Sequence, residues 1–148
     1  MKYVQLSRDY ELLNRVVNDP SVFPYLSLGL EGHLDTSFLV NDPANLFFAN
    51  EYGGFLLLNQ GDGVYEIHSQ FLPEGRNRRA VFGAVEAMAH MFTETDCTKL
   101  ITDCPHGNDR ALALAEGVGM KKTGERVLVN TVCDVYEITK EGWEQRCR

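Results

Sequence analysis

The stretch that decides the fold lies between Val64 and Phe92 and has the sequence VYEIHSQFLPEGRNRRAVFGAVEAMAHMF. Apolar and polar residues alternate from Val64 to Pro73, and this alternation predicts a β-strand. Apolar residues then recur at i, i+4, i+7 and i+11, which predicts an amphipathic helix that ends near Glu94. The residues of this apolar helical face are Val81, Val85, Met88 and Phe92. A basic turn therefore joins a strand to the beginning of a helix.

Three arginines, Arg76, Arg78 and Arg79, lie in this turn. Free backbone N–H groups and the positive end of the helix dipole favour an anion at the first turn of a helix, and guanidinium groups bind phosphate strongly. The turn is therefore a candidate site for a phosphorylated ligand. On these residues alone, a solvated arginine cluster that keeps the loop soluble stays open as the alternative.

The charge balance bears on the class of ligand. The chain has 148 residues, with 21 acidic against 14 basic side chains and a formal net charge of -7. Binding to duplex DNA or RNA depends on a broad basic surface, so this composition argues against a nucleic-acid binder. A single basic turn suits a small phosphorylated ligand better. The length predicts one domain that covers residues 1–148.

The cysteines and the apolar segments bear on the compartment. No CxxC pair and no metal-ligand spacing occurs, so we predict neither a metal site nor a disulfide framework. The four cysteines are Cys97, Cys104, Cys133 and Cys147. The N-terminus lacks an apolar segment of signal-peptide length, and no apolar run has the length of a membrane span. These features predict a reduced, cytoplasmic protein that does not associate with membranes.

The sequence before Val64 predicts a strand, a helix and the first strands of an antiparallel meander. Residues Lys2 to Leu6 form the first predicted strand, and Ser7 is the predicted N-cap of the first helix. Residues 21–45 predict irregular structure with a short helix at Val22 to Leu26. Glycine-rich turns then separate three strands between Asn45 and Phe71.

The sequence after the predicted helix that ends near Glu94 predicts a strand, a helix and a closing hairpin. The strand at Lys99 to Asp103 follows a helix rather than a hairpin turn, which predicts parallel pairing with the strand before that helix. Asn108 is the predicted N-cap of the next helix. The hairpin consists of Arg126 to Asn130 and Val132 to Ile138.

With this order of elements, the chain resembles the GNAT superfamily of N-acetyltransferases over nearly its whole length. In that family a central strand precedes a pyrophosphate-binding turn, whose pattern is Gln or Arg, two variable residues, Gly, one variable residue, then Gly or Ala. Here that turn is Leu72 to Ala80. The segments Asn108 to Ala111 and Gly119-Met120 are similar to the family's second motif, in which Asn caps a helix that ends in Gly-Phe.

The resemblance implies an α/β (α+β) fold with a central mixed, mostly antiparallel sheet of about six to seven strands and flanking helices. It also implies acetyl-CoA as the cosubstrate, with no metal. The residues expected to bind the coenzyme are Phe71, Leu72, Arg76, Asn77, Arg78, Arg79, Ala80 and Asn108. A backbone N–H near Phe71 or Leu72, freed by a bulge in the strand, is expected to polarise the thioester carbonyl.

Three positions depart from the family pattern. Arg79 stands where a glycine is usual, and Gly75 is expected to supply flexibility one register earlier. Ala115 stands where many members carry a tyrosine thought to protonate the leaving thiolate. Branches similar to the ribosomal-protein acetyltransferases lack that tyrosine. Met120 replaces the phenylalanine, which is a mild apolar change.

Glu66 and His68 are the candidate catalytic residues. Side chains alternate along a strand, so Glu66, His68 and Gln70 share one face. By its position before the turn, Glu66 is similar to the general base of several family members, and His68 is the alternative base. Partial burial is expected to raise the pKa of Glu66 toward neutrality. Taken singly, Glu66 is equally consistent with an exposed strand residue and His68 with a half-buried structural histidine.

The expected acceptor is a primary amine on a small molecule or a protein. Tyr25, Phe23 and His33, together with the acidic Glu31 and Asp35, belong to a segment that borders the acceptor pocket in this family, and an acidic rim would attract a cationic amine. The main alternative is a non-catalytic GNAT-like module with a structural or protein-binding role, similar to small members carried by bacteriophages. A binder of another nucleotide, and a homodimer, also stay open.

Overall fold

The computed structural model describes residues 1–26 and 32–146. The strands are β1 (Gln5–Leu6), β2 (Leu46–Asn50), β3 (Gly53–Gly61), β4 (Val64–Phe71), β5 (Lys99–Pro105), β6 (Lys121–Leu128) and β7 (Thr131–Thr139). The helices are α1 (Tyr10–Val17), α2 (Phe23–Leu26), α3 (Ser37–Val40), α4 (Arg78–Glu94), α5 (Asp109–Gly117) and α6 (Lys140–Arg146). No helix within these described residues has the length and apolar character needed to span a bilayer.

The strands form one seven-stranded sheet in the order β1-β2-β3-β4-β5-β7-β6. All neighbours pair antiparallel except β4 and β5, which pair parallel. The parallel ladder is short, since it runs only from the pair Val64 and Lys99 to the pair Glu66 and Ile101. The predicted mixed, mostly antiparallel sheet with its meander and closing hairpin is confirmed. Beyond Glu66 the two central strands no longer pair, and this separation positions the site.

Two hydrophobic clusters cover the two faces of the sheet. One contains Phe55, Leu100 and the inner faces of α4 and α5. The other contains Phe47, Leu56 and the apolar face of α1. Because side chains alternate along β4, Tyr65 and Ile67 join the first cluster. Glu66, His68 and Gln70 therefore point to the opposite side of the sheet, where α1 packs.

The buried face of α4 differs from the predicted one. Val85 is 48% exposed, although the periodicity placed it in the core. The buried residues of this helix are Ala80, Gly83, Ala84, Ala87, Met88, Met91 and Phe92. Small side chains let the helix approach the sheet closely, because a Cβ atom on Gly83 would lie 3.1 Å from Cγ1 of Val4 and 3.2 Å from Cε2 of Phe55. Close packing against the sheet therefore places the small residues of α4, rather than the branched Val85, on its buried face.

The first helix is capped two residues later than predicted. The N-cap is Asp9, whose carboxylate accepts a hydrogen bond of 3.0 Å from the Leu12 N–H. Ser7 instead accepts a hydrogen bond from the Asp9 N–H, 3.0 Å long, so its hydroxyl shapes the entry to the helix. The prediction of Ser7 as the cap is wrong: serine and aspartate are comparable caps, and the helix that buries Leu12, Leu13, Val16 and Val17 begins at Tyr10, next to Asp9.

The first strand is shorter than predicted because a side chain takes its backbone donors. The N–H groups of Lys2, Tyr3 and Val4 donate to the carboxylate of Glu86 on α4, at 2.6, 2.6 and 3.1 Å. Only Gln5–Leu6 then pairs with β2. The helices α3 and α6 were not predicted, and β6 begins at Lys121 rather than at Arg126. Of the predicted segment Val22 to Leu26, the residues Phe23–Leu26 are helical.

Candidate functional site

A cavity of about 220 Å³ opens where β4 and β5 separate. Its walls come from the end of β4, the turn before α4, the first turns of α4 and α5, and α2. Five of the eight residues predicted to bind the coenzyme line it, and they are Phe71, Arg76, Asn77, Ala80 and Asn108. Leu72 packs instead against the hydrophobic cluster around α1, and Arg78 and Arg79 are exposed.

The residue in a glycine-like backbone conformation is Asn77, not Arg79. Asn77 is the N-cap of α4 and has φ 69° and ψ -133°, a region that favours glycine. Arg79 lies in the first turn of α4, and its guanidinium carbon is 5.4 Å from the centroid of the Tyr52 ring. Its side chain leaves the turn toward Tyr52, and the positive φ that favours glycine belongs to Asn77 rather than to Arg79.

Gly75 provides space rather than flexibility. It is buried in the short 3-10 turn Pro73–Gly75, and its N–H donates to the Leu72 carbonyl at 2.9 Å. A Cβ atom at this position would lie 2.4 Å from Cβ of Tyr52. The turn folds tightly over Tyr52 only because residue 75 has no side chain.

Arg76 joins the turn to the segment before α2. Its Nε donates to the Phe71 carbonyl at 3.1 Å, and its Nη2 donates to the Ser21 carbonyl at 2.9 Å. Burial, and after it the neighbouring Arg110 guanidinium, lower the pKa of Arg76 from its ordinary value. Neither arginine forms an ion pair with any residue in the described ranges 1–26 and 32–146. An anion between these two cations would relieve their mutual repulsion.

Two residues on opposite walls meet across the cavity. The guanidinium carbon of Arg110, on α5, lies 5.0 Å from the centroid of the Tyr25 ring, on α2. Such a cation–π contact stabilises the approach of the two helices. Next to it, the Asn108 side chain accepts a hydrogen bond of 3.2 Å from the Ala111 N–H and caps α5, as predicted. Sequence reasoning did not select Arg110 as a site residue, and its only signal was its position beside the Asn108 cap.

Glu66 and His68 are in contact on the α1 side of the sheet. Nε2 of His68 lies 2.7 Å from Oε1 of Glu66, although the direction of the ring N–H is not that of an aligned hydrogen bond. The neighbouring His68 lowers the pKa of the half-buried Glu66, with a smaller contribution from Arg126. The expected rise of this pKa toward neutrality is therefore wrong, because the imidazole outweighs the effect of burial. Neither residue lines the cavity, which Gln70 reaches from the same face.

Among the described residues of the predicted acidic rim, Asp35 is held by hydrogen bonds at the beginning of α3. Asp35 accepts hydrogen bonds from the Ser37 N–H at 3.0 Å and from the Asn14 side chain at 3.2 Å, at the beginning of α3. His33 lies 3.4 Å from the Asn18 side chain. Glu31 falls outside the described residues. Of this segment, Tyr25 lines the cavity, and Phe23 does not.

Ala115 offers no hydroxyl at the position where many members of the GNAT family carry a tyrosine. It is buried and lines a second cavity of about 40 Å³, which lies deeper between β4 and α5. Ser69 lines both cavities, and Thr102 lines the deeper one. Ser69 and Thr102 are therefore the polar side chains that line the same cavity as Ala115.

The buried thiols and one surface cluster do not belong to this site. Burial raises the pKa of Cys97 and of Cys104 to about 11, so both stay protonated at neutral pH. Just after β5, and on β6 and β7, ligand atoms of three residues lie within 4.8 Å of one another, and the residues are His106, Glu125 and Asp134. The Lys122 ammonium lies 3.2 Å from each of the two carboxylates and compensates their charge.

The chain matches no protein-family model and no curated protein sequence, whereas solved structures match it over nearly its whole length. A point mutant of spermidine N-acetyltransferase from Vibrio cholerae superposes with a TM-score of 0.77 at 17% identity and covers 100% of both chains. An acetyltransferase of the GNAT family from Bacillus anthracis gives 0.74 at 20% identity, over 93% of this chain and 95% of the other.

A third structure contains ligands. Aminoglycoside acetyltransferase AAC(6')-Ib with coenzyme A and kanamycin gives a TM-score of 0.74 at 16% identity and covers 98% of both chains. At these identities the similarity concerns the fold, which agrees with the strand order and the separated central strands described above. The chain has the GNAT acetyltransferase fold.

Proposed function

We propose that this protein is an acetyl-CoA-dependent N-acetyltransferase that acetylates a primary amine by direct attack in a ternary complex. The observation that carries the proposal is the cavity between the end of β4 and the beginnings of α4 and α5, with Arg76 and Arg110 at its wall and no carboxylate paired with either within the described residues. The two cations suit a diphosphate, and the largely apolar channel between strand and helix suits an extended arm. The superposed spermidine and aminoglycoside acetyltransferases support the same class of reaction.

The coenzyme site is assigned to the end of β4 and the beginnings of α4 and α5. Arg76 and the N–H groups at the first turn of α4 would hold the diphosphate, together with Asn77 and Ala80. Phe71 and Asn108 would contact the pantetheine arm of the coenzyme, although Asn108 caps α5 with or without a ligand. Arg78 and Arg79, at the exposed surface of the same turn, are assigned to the outer phosphate groups.

When bound, acetyl-CoA supplies a thioester whose C–S bond breaks as the amine nitrogen forms the new C–N bond, and the thiolate then takes up a proton. The amine must lose a proton in this reaction, and we assign that proton to the Glu66–His68 pair. The contact with His68 lowers the pKa of Glu66, so its carboxylate stays ionised beside the imidazole. His68 is therefore the proton acceptor, directly or through water, and Glu66 stabilises the imidazolium that forms.

Two residues bear on the alternative of a non-catalytic module, Arg79 and Ala115. Arg79 does not occupy the strained position of the turn, so it no longer counts against coenzyme binding. Ala115 still removes one candidate proton donor for the thiolate. Activity with Ala115 present therefore requires another donor, for which Ser69, water or the acceptor itself is suited.

Coenzyme binding is the first test. Titration of acetyl-CoA by calorimetry should give saturable binding, and a hundredfold excess over the dissociation constant should stabilise the protein by roughly 2.7 kcal/mol in a thermal melt. The Arg76→Ala/Arg110→Ala double variant should abolish the shift. Arg15→Ala, an exposed arginine on α1, is the matched control and should keep it. Absence of binding by the unmodified protein would reject the proposal.

Catalysis is tested with a panel of amines. A polyamine, an aminoglycoside, a lysine amide and a peptide with a free N-terminus are incubated with labelled acetyl-CoA, and transfer is followed for each. His68→Ala should lower kcat with little change in KM, and Glu66→Gln should also lower kcat because the imidazolium loses its neighbouring carboxylate. Coenzyme binding without transfer to any member of the panel would favour the non-catalytic module.

A further inference from the structure

Gln70 carries a buried polar group without a partner. The residue is only 7% exposed, and its Oε1 is enclosed and accepts no hydrogen bond from any residue in the described ranges. Its side chain makes no other hydrogen bond there. Buried carboxamides in folded proteins are nearly always satisfied, so an unsatisfied one at the end of a central strand needs an explanation.

Its position in the fold points to a ligand. Gln70 lines the cavity near the end of β4, beyond the residues of β4 that pair with β5. It lies on the same face as Glu66 and His68, about 7 Å beyond His68 along the strand. On β3 its neighbour is Gly54, which has no side chain to compete for the space. Gln70 therefore lies between the proposed proton acceptor and the phosphate-binding turn.

Several donors line the cavity, yet none from the described residues reaches Gln70 Oε1. The nearest cation along the chain, Arg76, donates instead to the carbonyls of Phe71 and Ser21. A carboxamide oxygen can accept only from N–H or O–H groups. Since none of the described residues donates to Gln70 Oε1, the missing donor is expected to arrive with the ligand.

We propose that Gln70 is a positioning residue whose carboxamide oxygen accepts a hydrogen bond from an N–H group of the bound ligand. This inference rests on the proposed function. Two sources offer the same chemistry at this end of the cavity: an amide N–H of the pantetheine arm and the amine of the acceptor. In either case the hydrogen bond fixes the distance between the amine nitrogen and the thioester, and so acts on the chemical step through orientation.

The test uses Gln70→Leu, which removes the acceptor at similar size, and Gln70→Glu, which keeps oxygen acceptors. Gln60→Leu changes an exposed glutamine on β3 and is the matched control. Binding of CoA and of 3',5'-ADP, which lacks the pantetheine arm, is measured by calorimetry. Acetyl transfer to the amine panel is measured with each variant.

If the pantetheine amide is the donor, Gln70→Leu should weaken CoA binding about tenfold and leave 3',5'-ADP binding unchanged, with Gln70→Glu closer to the unmodified protein. If the amine is the donor, CoA binding should be unchanged and kcat/KM for the amine should fall about tenfold. A melting temperature that changes in Gln70→Leu, with all binding and transfer unchanged, would overturn the inference and leave Gln70 a structural residue.

The two proposals fail in different ways. If the unmodified protein binds no CoA, the proposed function fails and the inference about Gln70 falls with it. If the unmodified protein binds CoA and transfers acetyl groups, and Gln70→Leu does both equally well, only the inference about Gln70 fails. Unchanged behaviour of Gln60→Leu is required in both cases for the comparison to count.

Discussion

Replacement of Asn77 by glycine should make the protein more stable. Asn77 has φ 69° and ψ -133°, which is the backbone geometry of the first central residue of a type II′ turn and not the left-handed helical geometry that asparagine tolerates. Such a sparsely populated conformation costs a residue with a side chain of the order of 1–3 kcal/mol. The Asn77 side chain makes no capping hydrogen bond that would compensate.

The expected gain is the difference between two effects. Glycine relieves the strain, but it also makes the unfolded chain more flexible, which costs about 0.4–1 kcal/mol. The net stabilisation of Asn77→Gly is therefore about 1 kcal/mol, which corresponds to a rise of roughly 2–4 °C in melting temperature for a chain of this length. Urea unfolding followed by circular dichroism measures the same free energy independently.

Two companion variants determine whether the reasoning is correct. Arg79→Gly places glycine in the first turn of α4, where φ is helical, and should lower stability by about 0.5–1 kcal/mol. Asn77→Ala keeps a Cβ atom at the strained position and should lower the melting temperature or leave it unchanged. Equal or lower stability of Asn77→Gly, or a gain in Arg79→Gly, would refute the assignment of residue 77 as the position in the turn that favours glycine.

Three further variants test other contacts. Glu86→Ala removes the acceptor of three backbone N–H groups and should cost about 2 kcal/mol in urea unfolding and speed amide exchange at residues 2–4, whereas Glu94→Ala, at the exposed end of α4, should not. Gly75→Ala should cost about 1–3 kcal/mol by overpacking against Tyr52, while Gly117→Ala, which has open space around it, should be neutral or stabilising; equal effects would contradict the packing argument. Because the pKa of Glu66 is lowered in the folded state, its contribution to stability is present above the unfolded pKa of about 4.3 and is lost as pH falls through the folded pKa. The stability advantage over Glu66→Gln should therefore shrink between about pH 5 and pH 3, and an advantage that is constant with pH would exclude this coupling.

The sequence predicted the elements whose signals are local. The alternation along β4, the Asn108 cap and the glycine-rich turns of the meander were all read correctly, because each depends on a few neighbouring residues. The same holds for the parallel pairing of β4 and β5, which follows from the helix between them. The short helix α3 was missed because four residues are too few to show a helical period.

The predictions that were wrong concern features that depend on residues far apart in the sequence. Val85 fits the helical period but is exposed, since the sheet accepts only the small side chains of α4 at short range. Ser7 and Asp9 are both good caps, and the packing of α1 selects the second. The pKa of Glu66 falls rather than rises because His68 turns toward it on the folded strand.

The amino-acid sequence by itself determined the order of the strands and of the helices α1, α4 and α5, and it placed a basic turn before α4, since hydrophobic period and turn chemistry act over short distances along the chain. Only the tertiary structure decided that β4 and β5 separate beyond Glu66, that Arg76 reaches the Ser21 carbonyl, and that Gln70 is buried with no hydrogen-bond partner for its Oε1 among the described residues. Those features depend on which segments meet in space. Burial, hydrogen bonding and the distance between charges depend on contacts between distant segments, and no single stretch of sequence encodes them.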